Sequence, residues 1–293
     1  MPAFALPSTL AESVDRWGPP ERRQWLAELP GTVAALAERW SLVLGPPFQP
    51  GGEVAWVAPA RDGAGRELVL KVGWRHYEGE HEAAGLRAWH GRGAVTLHRE
   101  HTDGPTSALL LERCTPGTPL GELCAEPEQD EVITRLLRGL WHEPPPGHPF
   151  RPLAQMCDSW ADEFDRQYAD EPDAFDPGLA RAGMQLFRGL PRDYPGPPQL
   201  LVTDLHAANV LAAGREPWLV IDPKPYVGDP CYDLLQHMLN ADELDEPGAR
   251  ADRLAGLAGL DPERVRLWLF ARAVQEGVRN PWLRPVATAL APG

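Results

Sequence analysis

Between Leu200 and Asp233 the chain reads LLVTDLHAANVLAAGREPWLVIDPKPYVGDPCYD, and no other stretch restricts the possible folds as tightly. Its apolar runs are three or four residues long and end in turn formers, which is too short for helices and suited to strands. Asp204 ends the first run, Asn209 precedes Val210-Leu211-Ala212, and Asp222 ends Trp218-Leu219-Val220-Ile221. A hairpin turning at Gly214-Arg215-Glu216 would bring Asp222 back alongside Asn209 and Asp204. Hard oxygen ligands would then gather at one mouth.

The rest of the chain supplies a scaffold in two styles. Residues 8 to 45 carry Trp17, Trp25, Leu26, Leu29, Val33, Leu36 and Trp40 at roughly helical spacing between Pro and Gly breaks, which predicts a helical region. EVAWVAPA and RELVLKV then read as strands around the turn Arg61 to Gly65, followed by a helix over 80–90 and two more strands, AVTLHRE and SALLLER. The stretch Cys114-Thr-Pro-Gly117 is the candidate hinge. Beyond it the periodicity predicts helices near 128–142, 153–169 and 177–190, a short extended pair, QLLVTD and WLVID, and helices near 230–241, 250–258 and 261–279. Strands first and helices after imply an α+β protein in two lobes: residues 1–113, with a helical extension to about 45, and residues 114–293.

Composition narrows the function classes. With 28 Lys+Arg against 42 Asp+Glu the formal charge is −14, and no stretch concentrates the cations that a nucleic-acid binder needs to neutralise phosphates. The same sign suits a small cationic partner. No run approaches the roughly 20 apolar residues that span a bilayer. The N-terminal segment lacks a basic stretch followed by an apolar core, so the expected location is cytoplasmic, with no membrane partner and a monomer as the working oligomeric state. Cys114, Cys124, Cys157 and Cys231 form no C-x-x-C pair and read as reduced thiols.

Phosphoryl transfer needs a carboxylate to accept the acceptor hydroxyl's proton, and oxygen ligands to hold magnesium on the nucleotide phosphates. An isolated Asp or Asn is ordinarily a turn or cap residue. The set is more telling: Asp204 precedes Asn209 by five residues, and Asp222 ends a later strand, which is the spacing pattern of protein kinases. Gly51 and Gly52 lie where the first two strands turn, so backbone amides there could approach phosphates without a Cβ in the way.

The run D-L-H-x-x-N-V-L at Asp204 to Leu211, followed by I-D-P and G-D-P-x-Y-D, resembles aminoglycoside phosphotransferases. Ile221-Asp222-Pro223-Lys224-Pro225 with Gly228 to Asp233 is similar to their streptomycin 6-phosphotransferase and hydroxyurea phosphotransferase branch. GGEVAWV, LVLKVGW, EHEAAGLRAWHGRGAV and LLLER fall in the order that this branch shows, over roughly residues 46–240. The resemblance implies a protein-kinase-like two-lobe fold and an ATP- and magnesium-dependent kinase. Asp204 would be its catalytic base, and Asn209 and Asp222 its metal ligands. Lys71 would reach the α and β phosphates, with Glu82 as its partner. Glu82 is preferred over Glu80 because Leu86 and Trp89 lie on its side of the helix. Backbone groups between Glu112 and Cys114 would bind adenine by analogy.

Two further residues read as structural: His206 as a loop histidine bonded to a backbone carbonyl, and Asp229 as a helix cap, for which the resemblance implies an added role in bracing the catalytic loop. Asp158, Asp162 and Asp165 share one helix face, and with Glu276 they are candidates for binding an aminoglycoside-like cation; a solvated face on an amphipathic helix is the more ordinary reading of the three. The implied reaction is phosphorylation of a hydroxyl of streptomycin or a related aminoglycoside, a resistance activity. Another small acceptor such as hydroxyurea, and a catalytically silent kinase-fold binding module, are the alternatives.

Overall fold

The computed structural model describes residues 4–17, 19–241 and 244–292. Backbone contacts group the chain into two compact units, Met1–Gly117 and Thr118–Gly293.

In the first unit the helical region expected over 8–45 is two helices, α1 (Ser8–Trp17) and α2 (Pro20–Trp40), and it ends before residue 45. Pro20 opens α2, where its missing N–H breaks no helical bond. Ser41 then closes α2 in the left-handed region at φ 54°, and Val43–Leu44 become strand β1. Strands β2 (Ala55–Arg61) and β3 (Glu67–Trp74), helix α3 (Glu82–Trp89), and strands β4 (Leu97–Asp103) and β5 (Thr106–Glu112) complete the unit. The sheet is antiparallel throughout, in the order β1-β2-β3-β5-β4.

Alternation along β3 sends Leu68, Leu70 and Val72 to one face, where they pack with Trp25, Leu29, Val33, Leu36 and Trp40 of α2. Lys71 takes the opposite parity. The same helical layer holds the β1–β2 connection. Ser13 Oγ donates to the Glu53 carbonyl at 2.6 Å, the buried Arg22 guanidinium donates to that carbonyl too, and Thr9 N donates to Pro50 O at 3.2 Å. Gly51 sits in this connection at φ +79°, and a Cβ on it would lie 2.5 Å from Pro7, so both conformation and space demand glycine.

The second unit is mostly helical: α4 (Leu120–Leu123), α5 (Glu126–Leu140), α6 (Leu153–Asp170), α7 (Pro177–Gly189), α8 (Leu235–Leu239), α9 (Pro247–Ala258), α10 (Pro262–Glu276) and α11 (Leu283–Ala289). Trp268 of α10 is its buried centre, in edge contact with Phe187 of α7 at 6.2 Å and with Tyr232 at 5.1 Å. Gly183 lets α7 close on α10, since a Cβ there would lie 2.6 Å from Val274. Five short strands are set into the helices: β6 (Arg151–Pro152), β7 (Gln199–Leu201), β8 (Val210–Ala212), β9 (Trp218–Val220) and β10 (Tyr226–Gly228).

The hairpin expected around Gly214 forms, whereas QLL finds its partner elsewhere. QLL (β7) pairs antiparallel with β10, and WLV (β9) pairs with β8 through the Gly214 turn. Closing the short β8–β9 loop costs less chain entropy than a long-range pairing. Three residues after Pro225 are too few to show alternation, which hid β10. The helix expected over 230–241 is a 3-10 turn, Pro230–Leu234, running into α8. Among the described residues no helix is long and apolar enough to cross a membrane.

Candidate active site

β7 ends at Leu201, and the chain then leaves regular structure under tight control. The fully buried Asp233 accepts Val202 N at 3.0 Å, Thr203 N at 2.7 Å and Trp141 Nε1 at 2.9 Å. Burial pushes its carboxyl up to about 6, against the pull of those three donors. Thr203 is held at φ +55°, and Asp222 at φ +51°. Left-handed backbone at non-glycine residues is uncommon and costs energy, and here it occurs beside Asp204 and at Asp222 itself. The two segments are stitched directly: Lys224 N donates to Val202 O at 2.9 Å, and Thr203 Oγ1 donates to Lys224 O at 2.5 Å.

This stitching brings three of the singled-out side chains together. Asn209 Nδ2 donates to the Asp204 carbonyl at 3.0 Å, which turns its amide oxygen the other way, and Ile221 N donates to Asn209 O at 2.9 Å. Lys224, absent from the candidate residues, joins the carboxylates: its Nζ lies 2.7 Å from Asp222 Oδ1 and 3.6 Å from Asp204 Oδ2. Burial raises the Asp204 pKa, with Lys224 and His206 opposing. Burial lowers that of the half-buried His206, with Asp204 opposing. The His206 carbonyl accepts Asn209 N at 2.9 Å; its ring makes no hydrogen bond to a described residue, unlike the expected carbonyl contact.

The donor set fits a divalent ion of the magnesium type, which takes one or two protein carboxylates and fills its remaining positions with water and phosphate oxygens. Lys224 already marks the place as a stand-in cation between carboxylates. Among the described residues no cluster of three or more His, Cys, Asp or Glu could hold a metal.

In the first unit Lys71 Nζ donates to both oxygens of the buried Glu82, at 2.8 and 2.7 Å. Glu80 sits in the preceding 3-10 turn, Glu78–His81. Gly51 and Gly52 lie in the clasped β1–β2 connection, and nothing stands within 4 Å of a Cβ built on Gly52. Glu112 N donates to Thr96 O, and Glu112 Oε2 accepts Thr96 N, both at 2.9 Å; Cys114 is buried just beyond.

The acidic face of α6 is matched to arginines. Asp158 meets Arg192 at 2.5 Å, and Arg188 bridges Asp162 and Asp165 at 2.6 and 2.9 Å. Glu276 meets Arg272 at 2.5 Å, whose guanidinium stacks 4.5 Å over the Trp160 ring. These pairings link α6 to α7 and, through Arg272 over Trp160, to α10. Asp229 caps the turn after it through Cys231 N at 2.9 Å, and also accepts Arg264 Nε and Trp268 Nε1, each at 2.6 Å. Bracing of the Asp204 loop belongs to Asp233 instead. Two signals for the missed residues were in plain view: a lysine between prolines directly after Asp222, and the last Asp of G-D-P-x-Y-D.

Residues 39–282 match the family described as aminoglycoside/hydroxyurea antibiotic resistance kinase. The chain belongs to this family. It is 38% identical to a hydroxyurea phosphotransferase from Kitasatospora aureofaciens, over 92% of this chain and 78% of that protein. It is 35% identical to a streptomycin 6-kinase from Streptomyces griseus, over 98% of this chain and 94% of that one. An aminoglycoside phosphotransferase solved in ternary complex with ADP and hygromycin B shares the fold, with a TM-score of 0.54 at 15% identity over 88% of this chain and 96% of that chain. Membership makes the chain a small-molecule phosphotransferase with a protein-kinase-like fold.

Proposed function

We propose that the protein is an ATP- and magnesium-dependent O-phosphotransferase whose acceptor is streptomycin or a related aminoglycoside. The observation that carries the reading is the convergence of Asp204, Asn209 and Asp222, stitched at Val202, Thr203 and Lys224. Asp204 orients the acceptor hydroxyl and takes its proton. Its raised pKa suits a base better than an ordinary carboxylate would. Asn209 Oδ1 and Asp222 hold the divalent ion, which when bound neutralises the nucleotide phosphates. Met1–Gly117 serves as the nucleotide-binding lobe: Lys71, oriented by Glu82, holds the α and β phosphates, amides near Gly51 and Gly52 contact them, and backbone groups from Glu112 to Cys114 take adenine. Thr118–Gly293 carries the catalytic loop.

The net charge of −14 supports a cationic acceptor by steering it toward the protein. A second reading, hydroxyurea as acceptor, is favoured by the 38% identity to a hydroxyurea phosphotransferase. ADP release from ATP with magnesium, measured against streptomycin, other aminoglycosides and hydroxyurea, separates the two. Turnover is expected with streptomycin. Turnover with hydroxyurea alone would move the assignment to the second reading, and silence across the panel would retire both.

A further inference from the structure

Lys224 is the cation that the candidate site holds for itself. Its side chain is only 12% exposed, its backbone is pinned on both sides to the Asp204 loop, and its Nζ touches Asp222 Oδ1 at 2.7 Å, Asp222 O at 3.1 Å and Asp204 Oδ2 at 3.6 Å. Two carboxylates drawn toward one point repel each other, and an ammonium placed between them removes that repulsion. Asp222 itself is 37% exposed, so another ligand can reach the carboxylate that Lys224 occupies. A lysine is a compact charge on a flexible stem and can yield its place, whereas its pinned Cα keeps it at the site.

We propose that Lys224 is a positioning residue, a tethered counter-cation that keeps Asp204 and Asp222 aimed at a common point and competes with the divalent ion for Asp222. The inference rests on the reading of Asp222 as a metal ligand. It assigns Lys224 two opposed effects. It weakens metal binding, because the ion must displace a charge-assisted hydrogen bond, and it supports turnover, because it holds the base in place.

The test uses the full-length protein with Mn²⁺ as probe and a non-hydrolysable ATP analogue present, bound Mn²⁺ being read by electron paramagnetic resonance alongside thermal unfolding. Lys224→Met is expected to bind Mn²⁺ about tenfold more tightly than wild type, with a larger Mn²⁺-dependent rise in Tm, while kcat falls about tenfold or more. Lys224→Arg keeps the charge, and its Mn²⁺ affinity should stay within about threefold of wild type. Should Lys224→Met prove unfolded, Lys224→Gln, which keeps a donor without the charge, takes its place with the same expectation. Unchanged or weaker Mn²⁺ binding in the folded neutral variant, with wild type active, overturns the counter-cation role alone. Failure of wild type to bind Mn²⁺ at all removes both this inference and the assignment of Asp222.

Discussion

Lys71 and Lys224 make the same kind of contact in different surroundings. Each ammonium reaches a carboxylate at 2.7 Å, and each lysine side chain is less than 15% exposed, yet Glu82 is 9% exposed where Asp222 is 37%. Lys71 stands in a regular strand between Val57 and Leu109, its cross-strand neighbours on β2 and β5. Lys224 stands two residues after the left-handed Asp222 in irregular chain and is held by its own backbone. Distance alone therefore says little about an ion pair. What separates a closed brace from an exchangeable contact is whether a third group can reach the anion.

The largest expected effect lies at the open contact. With Asp204 as the proposed base, Asp204→Asn should lower kcat by about 10² to 10⁴ while nucleotide affinity persists. Phosphorylation at the wild-type rate would strip the irregular site of its chemistry.

Lys71→Met tests the closed pair, since it takes the ammonium away from a buried carboxylate, and urea unfolding should show a loss of about 3 kcal/mol. Lys224→Met leaves carboxylates that water reaches in part, and should cost below about 1 kcal/mol. Equal losses in the two variants would mean that exposure is not what distinguishes them.

The pH dependence of stability sharpens the picture at Asp233. Its folded pKa of about 6 exceeds the ordinary carboxylate value, so between those limits the folded state keeps a proton that the unfolded chain has lost. Stability from this group falls as pH rises through that window and is level above it. Asp233→Asn should remove that part of the slope in urea midpoints and cost about 1–3 kcal/mol in lost acceptors. An unchanged slope would put the titration elsewhere.

The smallest effects belong to the arginine-matched face of α6. Asp162→Asn and Asp165→Asn should each shift stability by less than about 1 kcal/mol and leave turnover with streptomycin unchanged. A large rise in KM would return these carboxylates to the acceptor site.

Much of this was legible in one dimension. The alternation of β3 put Lys71 opposite the packed face, and Leu86 and Trp89 at helical spacing from Glu82 put that residue on the buried side of α3. Both follow from strand and helix periods, which are local properties of the chain. The motif around Asp204 likewise marked three oxygen-bearing residues by spacing. On the acidic face of α6 the period was legible but its partners were not, because Arg188 of α7 and Arg192 just beyond that helix come from another element.

Order of elements, residue spacing and charge were enough to establish the two-lobe fold class, the kinase resemblance and the residues around which chemistry could gather. The three-dimensional arrangement alone disclosed Lys224 between two carboxylates, Asp233 beneath the Asp204 loop, the clasp of Ser13 and Arg22 on Glu53, and the pairing of strands β7 and β10. These contacts join residues remote in the chain through irregular backbone, where no repeating period ties position to direction, so a side chain's partner is chosen by packing and not by spacing.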